Sequence, residues 1–149
     1  MLDDIYNAKL LALAGNISRV GRLTDPHATA RAHSRLCGST VTVDVKMEDG
    51  RVSDFAHDVK ACALGQASSS IMASNVIGAT TEELREVRTA MQRMLKENGT
   101  PPRGRWEELK YLEPVRDYRA RHASTMLTFD AVVDAVDQIE GRKNAGQQA

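Results

Sequence analysis

The chain has only two cysteines in 149 residues, Cys37 and Cys62, too few for a disulfide framework and too far apart in sequence to form a C-x-x-C pair. It also lacks a charge excess. Twenty Lys and Arg face twenty Asp and Glu, whereas a general binder of nucleic acid or of an anionic membrane carries surplus basic residues. No apolar run approaches the roughly 18 residues of a membrane span. The opening Met1-Leu2-Asp3-Asp4 is acidic and has none of the basic-then-apolar order of a secretory signal. A cytoplasmic protein with reduced thiols is therefore expected. No internal repeat is present. Ser68, Ser69 and Ser70 stand outside any Gly-x-Ser-x-Gly elbow, and Gly65 lacks the partners of a phosphate or dinucleotide loop, so neither a serine nucleophile nor a nucleotide site is expected.

What is present suits an ordinary globular domain: 42% apolar and 27% charged residues, in a length that can bury a core without staples. The reading is one domain over residues 1–140 and a flexible polar tail over 141–149. Leu2, Ile5, Ala8, Leu10, Leu11 and Leu13 suggest a first helix before Gly15, and residues 28–34 an edge strand. Val41, Val43, Val45 and Met47 alternate with Thr40, Thr42, Asp44 and Lys46, the period of a half-buried strand. Asp49-Gly50 then predicts a hairpin with a second strand over 52–61. A short helix comes after Cys62. Thr80 and Glu83 form a capping box for a helix with Leu84, Val87, Met91, Met94 and Leu95 on one stripe. A brief helix over 106–112 is predicted to stop at Pro114, and Met126, Phe129, Val133, Val136 and Ile139 mark a long last helix. Early strands and late helices predict an α+β fold, a small three-stranded antiparallel sheet with helices packed on one face.

Cys37 precedes the firm strand and Cys62 ends its hairpin partner, so the two sulfurs are expected at one end of the sheet. Cys62 also precedes a helix, whose first amides favour negative charge. Thiolate is the species that binds soft metals or accepts sulfur. Taken alone, two isolated cysteines are more often small core hydrophobes.

Cys37-Gly38-Ser39, the hairpin, and Cys62-Ala63-Leu64-Gly65-Gln66-Ala67-Ser68-Ser69-Ser70 resemble the iron–sulfur cluster scaffold family of IscU, NifU and SufU proteins, over nearly the whole chain. The stretch from Glu113 through His122 to Ser124 resembles the SufU segment that leads into the family's third cysteine. The interval from Cys62 to Ser124 suits that SufU branch. The resemblance implies a metal site made of three cysteines and the aspartate of a Cys-Gly-Asp motif. It also implies a scaffold or carrier rather than an enzyme, with an iron–sulfur cluster, iron or zinc as cargo. A cysteine desulfurase and cluster-recipient proteins are the implied partners. Two of the four ligand positions are substituted in this chain, by Ser39 and Ser124. Serine is a neutral alcohol and a poor replacement for thiolate.

His122 is a candidate to join Cys37 and Cys62 as a metal ligand, offset by one position from the family's histidine. A surface histidine is the competing reading, and His27, His33 and His57 read as solvated. Lys60 and Arg121 are candidates for positive charge beside the thiols. Three functions are open to such a chain. The first is an iron–sulfur assembly protein working through Cys37 and Cys62. The second is a SufU-like acceptor of sulfur from a desulfurase. The third is a metal-free paralogue acting as an interaction module.

Overall fold

The computed structural model describes residues 7–148. Its sheet has three antiparallel strands in the order β1 (Ala28–His33), β2 (Thr40–Glu48) and β3 (Arg51–Lys60). The β2–β3 turn is made by Asp49 and Gly50, with φ of 53° and 76°. Both angles are left-handed, as a two-residue turn that matches the twist of a hairpin requires. Val41, Val43 and Val45 face Val59, His57 and Phe55 across the ladder and Ala32, Ala30 and Ala28 on the other side. One face of the sheet is therefore apolar, and its outer strand is lined with small residues. A register shift at Lys46/Met47 inserts a bulge, which is why Val52 and Phe55, three residues apart, are both buried.

The other face is polar and carries one buried carboxylate. Asp44 is 1% exposed and accepts from Arg22 Nε at 2.7 Å, Arg22 Nη2 at 3.1 Å, Leu23 N–H at 3.0 Å and Thr29 Oγ1 at 2.6 Å. Burial alone would raise its carboxyl, but these donors and the Arg22 charge hold it below the ordinary range.

The helices are α1 (Ala8–Gly15), α2 (Ala63–Asn75), α3 (Thr81–Lys96) and α4 (His122–Gln148). Of the predicted first helix, Leu2 and Ile5 lie outside the described residues. Asn7 caps α1 by accepting from Leu10 N–H at 3.0 Å. The Thr80 cap is present, its hydroxyl accepting from Glu83 N–H at 3.1 Å. Asn98, at φ 54°, closes the other end of α3 in the left-handed region. α4 lies on β1 and β2, α2 packs against α1, α4 and β3, and α3 covers α4. One apolar core joins all of these layers.

Two elements differ from expectation. The segment around Trp106 is a run of 3-10 turns, Gly104–Asp117, that continues through Pro114. Proline's fixed φ suits a 3-10 turn, and only one amide is forfeited there. The backbone of α4 also continues past Gly141 to Gln148, since an interior glycine costs a helix about 1 kcal/mol without stopping it. Arg142 Nη1 donates to the His27 carbonyl, fixing this part of α4 to the start of β1.

Candidate functional site: two thiols around Ser124

Cys37 sits on the connection between β1 and β2. Ser34 N–H donates to Ser39 O and Gly38 N–H to Ser34 O, each at 2.9 Å, closing a tight loop over residues 34–39. Gly38 takes φ +71° within it, a conformation open to glycine at little cost. The loop leaves the Cys37 side chain exposed. Its sulfur lies 2.9 Å from Ser39 Oγ and 3.4 Å from Ser34 Oγ. The two serines are themselves buried. Hydrogen bonding with Ser34 and Ser39 holds the Cys37 thiol below its ordinary range against the opposing effect of burial, and the Ser39 amide and Ser124 hydroxyl act in the same direction.

Cys62 is the N-cap of α2, in extended conformation and with no side-chain cap bond. Gln66 instead reaches back to the Ala61 carbonyl at 2.9 Å. The Cys62 thiol is half-buried and donates to Ser124 Oγ at 3.5 Å. Ser124 is 1% exposed and stands in the first turn of α4, its own hydroxyl donating to Arg121 O at 3.1 Å. Gly65 permits this meeting. A Cβ at that position would lie 3.1 Å from Ser124 O and 2.8 Å from Ala61 Cβ, so the absent side chain is what lets α2 and α4 approach.

Ser124 is thus a shared neighbour of both cysteines, and Ser39 stands beside the first. The two sulfurs, the substituted positions 39 and 124, and the start of the last helix meet at one end of the sheet.

His122 does not join them. Its Nε2 donates to the carbonyls of Val115 at 3.0 Å and Arg116 at 3.1 Å. At about 100° per residue, a position two before Ser124 points to a different side of α4. Arg121 contributes its carbonyl to Ser124 and Thr125. Lys60 lies at a hollow on the polar sheet face with Arg22 and Arg31. His27 and His33 are exposed as expected.

His57 is fully buried rather than solvated. Residues 19–21 pair with its backbone, and its Nε2 donates to Ser18 O at 2.8 Å. Burial keeps its imidazole below the ordinary range, with the Ser18 carbonyl and Asp58 opposing. Sequence reasoning also missed Ser34 as a partner of Cys37. Its only signal was its place three residues before the cysteine in a turn-forming segment.

The donor set is two thiols and two neutral hydroxyls, and among the described residues no three His, Cys, Asp or Glu side chains converge to hold a metal ion. Four thiolates hold a [2Fe–2S] cluster, and four strong donors a structural zinc. The chain by itself supplies half of either set.

The comparisons with known proteins agree with this architecture. The family model described as NifU-like N terminal domain matches residues 5–125. The crystal structure of a nitrogen-fixing NifU-like protein (N-terminal) from Brucella abortus is 67% identical, with a TM-score of 0.92 over 94% of this chain and 97% of that one. The iron–sulfur cluster assembly scaffold protein IscU of Thermotoga maritima is 24% identical over 135 residues, 91% of this chain and 94% of that protein. A protein from Fervidobacterium islandicum described as a putative cluster assembly scaffold for the SUF system shares the fold, with a TM-score of 0.81 at 20% identity over 89% of this chain and 97% of that one. The chain therefore belongs to the NifU-like N-terminal domain family.

Proposed function

We propose that this protein is an iron–sulfur cluster assembly scaffold or carrier that holds iron, zinc or a nascent cluster through Cys37 and Cys62, and is not an enzyme. The observation that carries the reading is the convergence of both thiols on Ser124 at an accessible end of the sheet. The cluster is cargo, and two protein thiolates are a hold that can be released. The other coordination positions are open to groups from outside the chain, as transfer between a donor and a recipient requires. A cysteine desulfurase that supplies sulfur and proteins that receive the cluster are the partners this role implies. Among the described residues no helix is long and apolar enough to cross a membrane. The cytoplasm is the proposed place of work, because thiols stay reduced there.

The test is metal and sulfide analysis of protein purified without oxygen, beside the Cys37→Ala, Cys62→Ala and His122→Ala variants. Loss of cargo in both cysteine variants and retention in His122→Ala supports the assignment. Equal loading in all four removes it. A second reading, sulfur acceptance from a desulfurase, is favoured at Cys37 by its exposure and by the two hydroxyls that stabilise its thiolate. Mass spectrometry after incubation with an active desulfurase and cysteine finds a sulfur adduct on Cys37 if that reading holds, and no adduct if it fails.

A further inference from the structure

The first turn of α4 separates two sites. Ser124 faces the thiols, while His122 lines a hollow of about 660 Å³ between the end of α3, the last 3-10 turns and α4. That volume falls within the range of small-molecule sites.

The charge around this hollow is one-sided. Lys96, Arg116 and Arg119 line it, with Asp130 as the lining carboxylate. Asp130 is already bound by Arg88 Nε at 2.9 Å. Arg116 is held by Glu113 at 2.7 Å and by Asn98 Oδ1 at 3.4 Å, which fixes its position and spends its charge locally. Lys96 and Arg119 make no ion pair among the described residues. Two uncompensated cations thus border one concavity in a chain whose total charge is zero. Leu95 and Met126, both nearly buried, supply apolar wall. The buried His122 ring, pinned by two carbonyls, forms a fixed part of the lining.

We infer that this hollow binds a small multivalent oxyanion, a polycarboxylate or a phosphate compound, through Lys96 and Arg119. Two cations on different elements, Lys96 at the end of α3 and Arg119 in the 3-10 turn before α4, favour a ligand with at least two separated negative groups over a single carboxylate. The apolar wall accommodates the carbon skeleton of a carboxylic acid. The positive end of the long helix α4 adds to the same field. Binding weakens as salt rises, because the exposed cations are screened over about 8–10 Å at ordinary ionic strength.

The experiment titrates the full chain with citrate and, separately, with inorganic pyrophosphate, by calorimetry and by amide and imidazole NMR shifts. The expected result is saturable binding of at least one probe, with shifts centred on Lys96, Arg119, His122 and Ala123. Which probe binds more tightly names the ligand class. The Lys96→Ala/Arg119→Ala double variant, which alters two exposed side chains, weakens binding by at least about tenfold at low salt. An Arg31→Ala/Lys60→Ala variant removes two cations from the polar sheet face and leaves the affinity unchanged. The inference is overturned if neither probe saturates, if the first double variant binds as the wild type does, or if the shifts map to the sheet face.

Discussion

Restoring sulfur at Ser124 should convert the two-thiol rim into a three-thiol zinc site. In a tetrahedral zinc centre with Zn–S bonds of about 2.3 Å, neighbouring sulfurs lie about 3.8 Å apart. Cys62 Sγ and Ser124 Oγ are already 3.5 Å apart, so Ser124→Cys places a third thiolate at ligand spacing with little movement. The substitution gives up the Ser124 hydroxyl bond to Arg121 O, a cost of about 1 kcal/mol. Structural zinc in four-ligand sites is worth about 10–16 kcal/mol, or about 2.5–4 kcal/mol per ligand. The lost hydroxyl bond lowers the stability of the free and the zinc-loaded variant alike, so the ligand's own share, about 2.5–4 kcal/mol, tightens zinc binding by about 70- to 900-fold. A competition titration against a chromophoric chelator under anaerobic conditions reads this directly. Adding Cys62→Ala to Ser124→Cys should cancel most of the gain, because the new thiolate then loses its nearest partner. A folded Ser124→Cys protein that holds zinc no more tightly than the parent would refute the placement of the third ligand position.

Ser39→Ala removes the closest hydroxyl from Cys37, so the pH profile of Cys37 alkylation should move to higher pH while that of Cys62 stays in place. A Cys37 profile that does not move would mean the hydroxyl does not stabilise the thiolate. Gly65→Ala puts a methyl group against Ser124 O and Ala61. It should cost about 1–3 kcal/mol in denaturant unfolding and alter Cys62 alkylation, and an unchanged midpoint would show that α2 and α4 give way freely. Buried His57 is held below the ordinary imidazole value of 6.5, so just below that pH the unfolded chain binds the extra proton and the folded chain does not. Stability is then fully present above about pH 6.5 and falls on acidification by at most about 1.4 kcal/mol per pH unit. His57→Gln should flatten that limb, and a wild-type stability that is level from pH 7 to pH 5 would contradict the burial argument.

The parts of the fold that could be read in the sequence are those specified by neighbours in the chain. The alternation around Val43, the Asp49-Gly50 turn and the Thr80–Glu83 box each act within a few residues, and each is present in the structure. Asp44 shows where this stops. The same alternation that buries Val43 and Val45 assigns Asp44 to the solvent side, and it does lie on the outer face. It is nevertheless covered, because Arg22, Leu23 and Thr29 fold across it from a segment with little periodic pattern. His57 is hidden for a similar reason: residues 18–21 bond to its ring and backbone, a contact that no local rule encodes.

The candidate site combines both kinds of information. Hairpin geometry brings Cys37 and Cys62 to one end of the sheet, but the third position is 62 residues further along, and no spacing rule finds it. Resemblance to a family located Ser124, while helix geometry alone could not orient His122 before the start of α4 was known. With that start at His122 itself, the difference of two residues resolves the question: Ser124 turns toward the thiols and His122 toward the basic hollow. The helix start therefore determines which chemistry belongs to the sulfurs. It leaves Cys37 with hydroxyl neighbours that stabilise its thiolate without competing strongly for a metal, an arrangement that suits the proposed role of passing cargo on better than locking it in place.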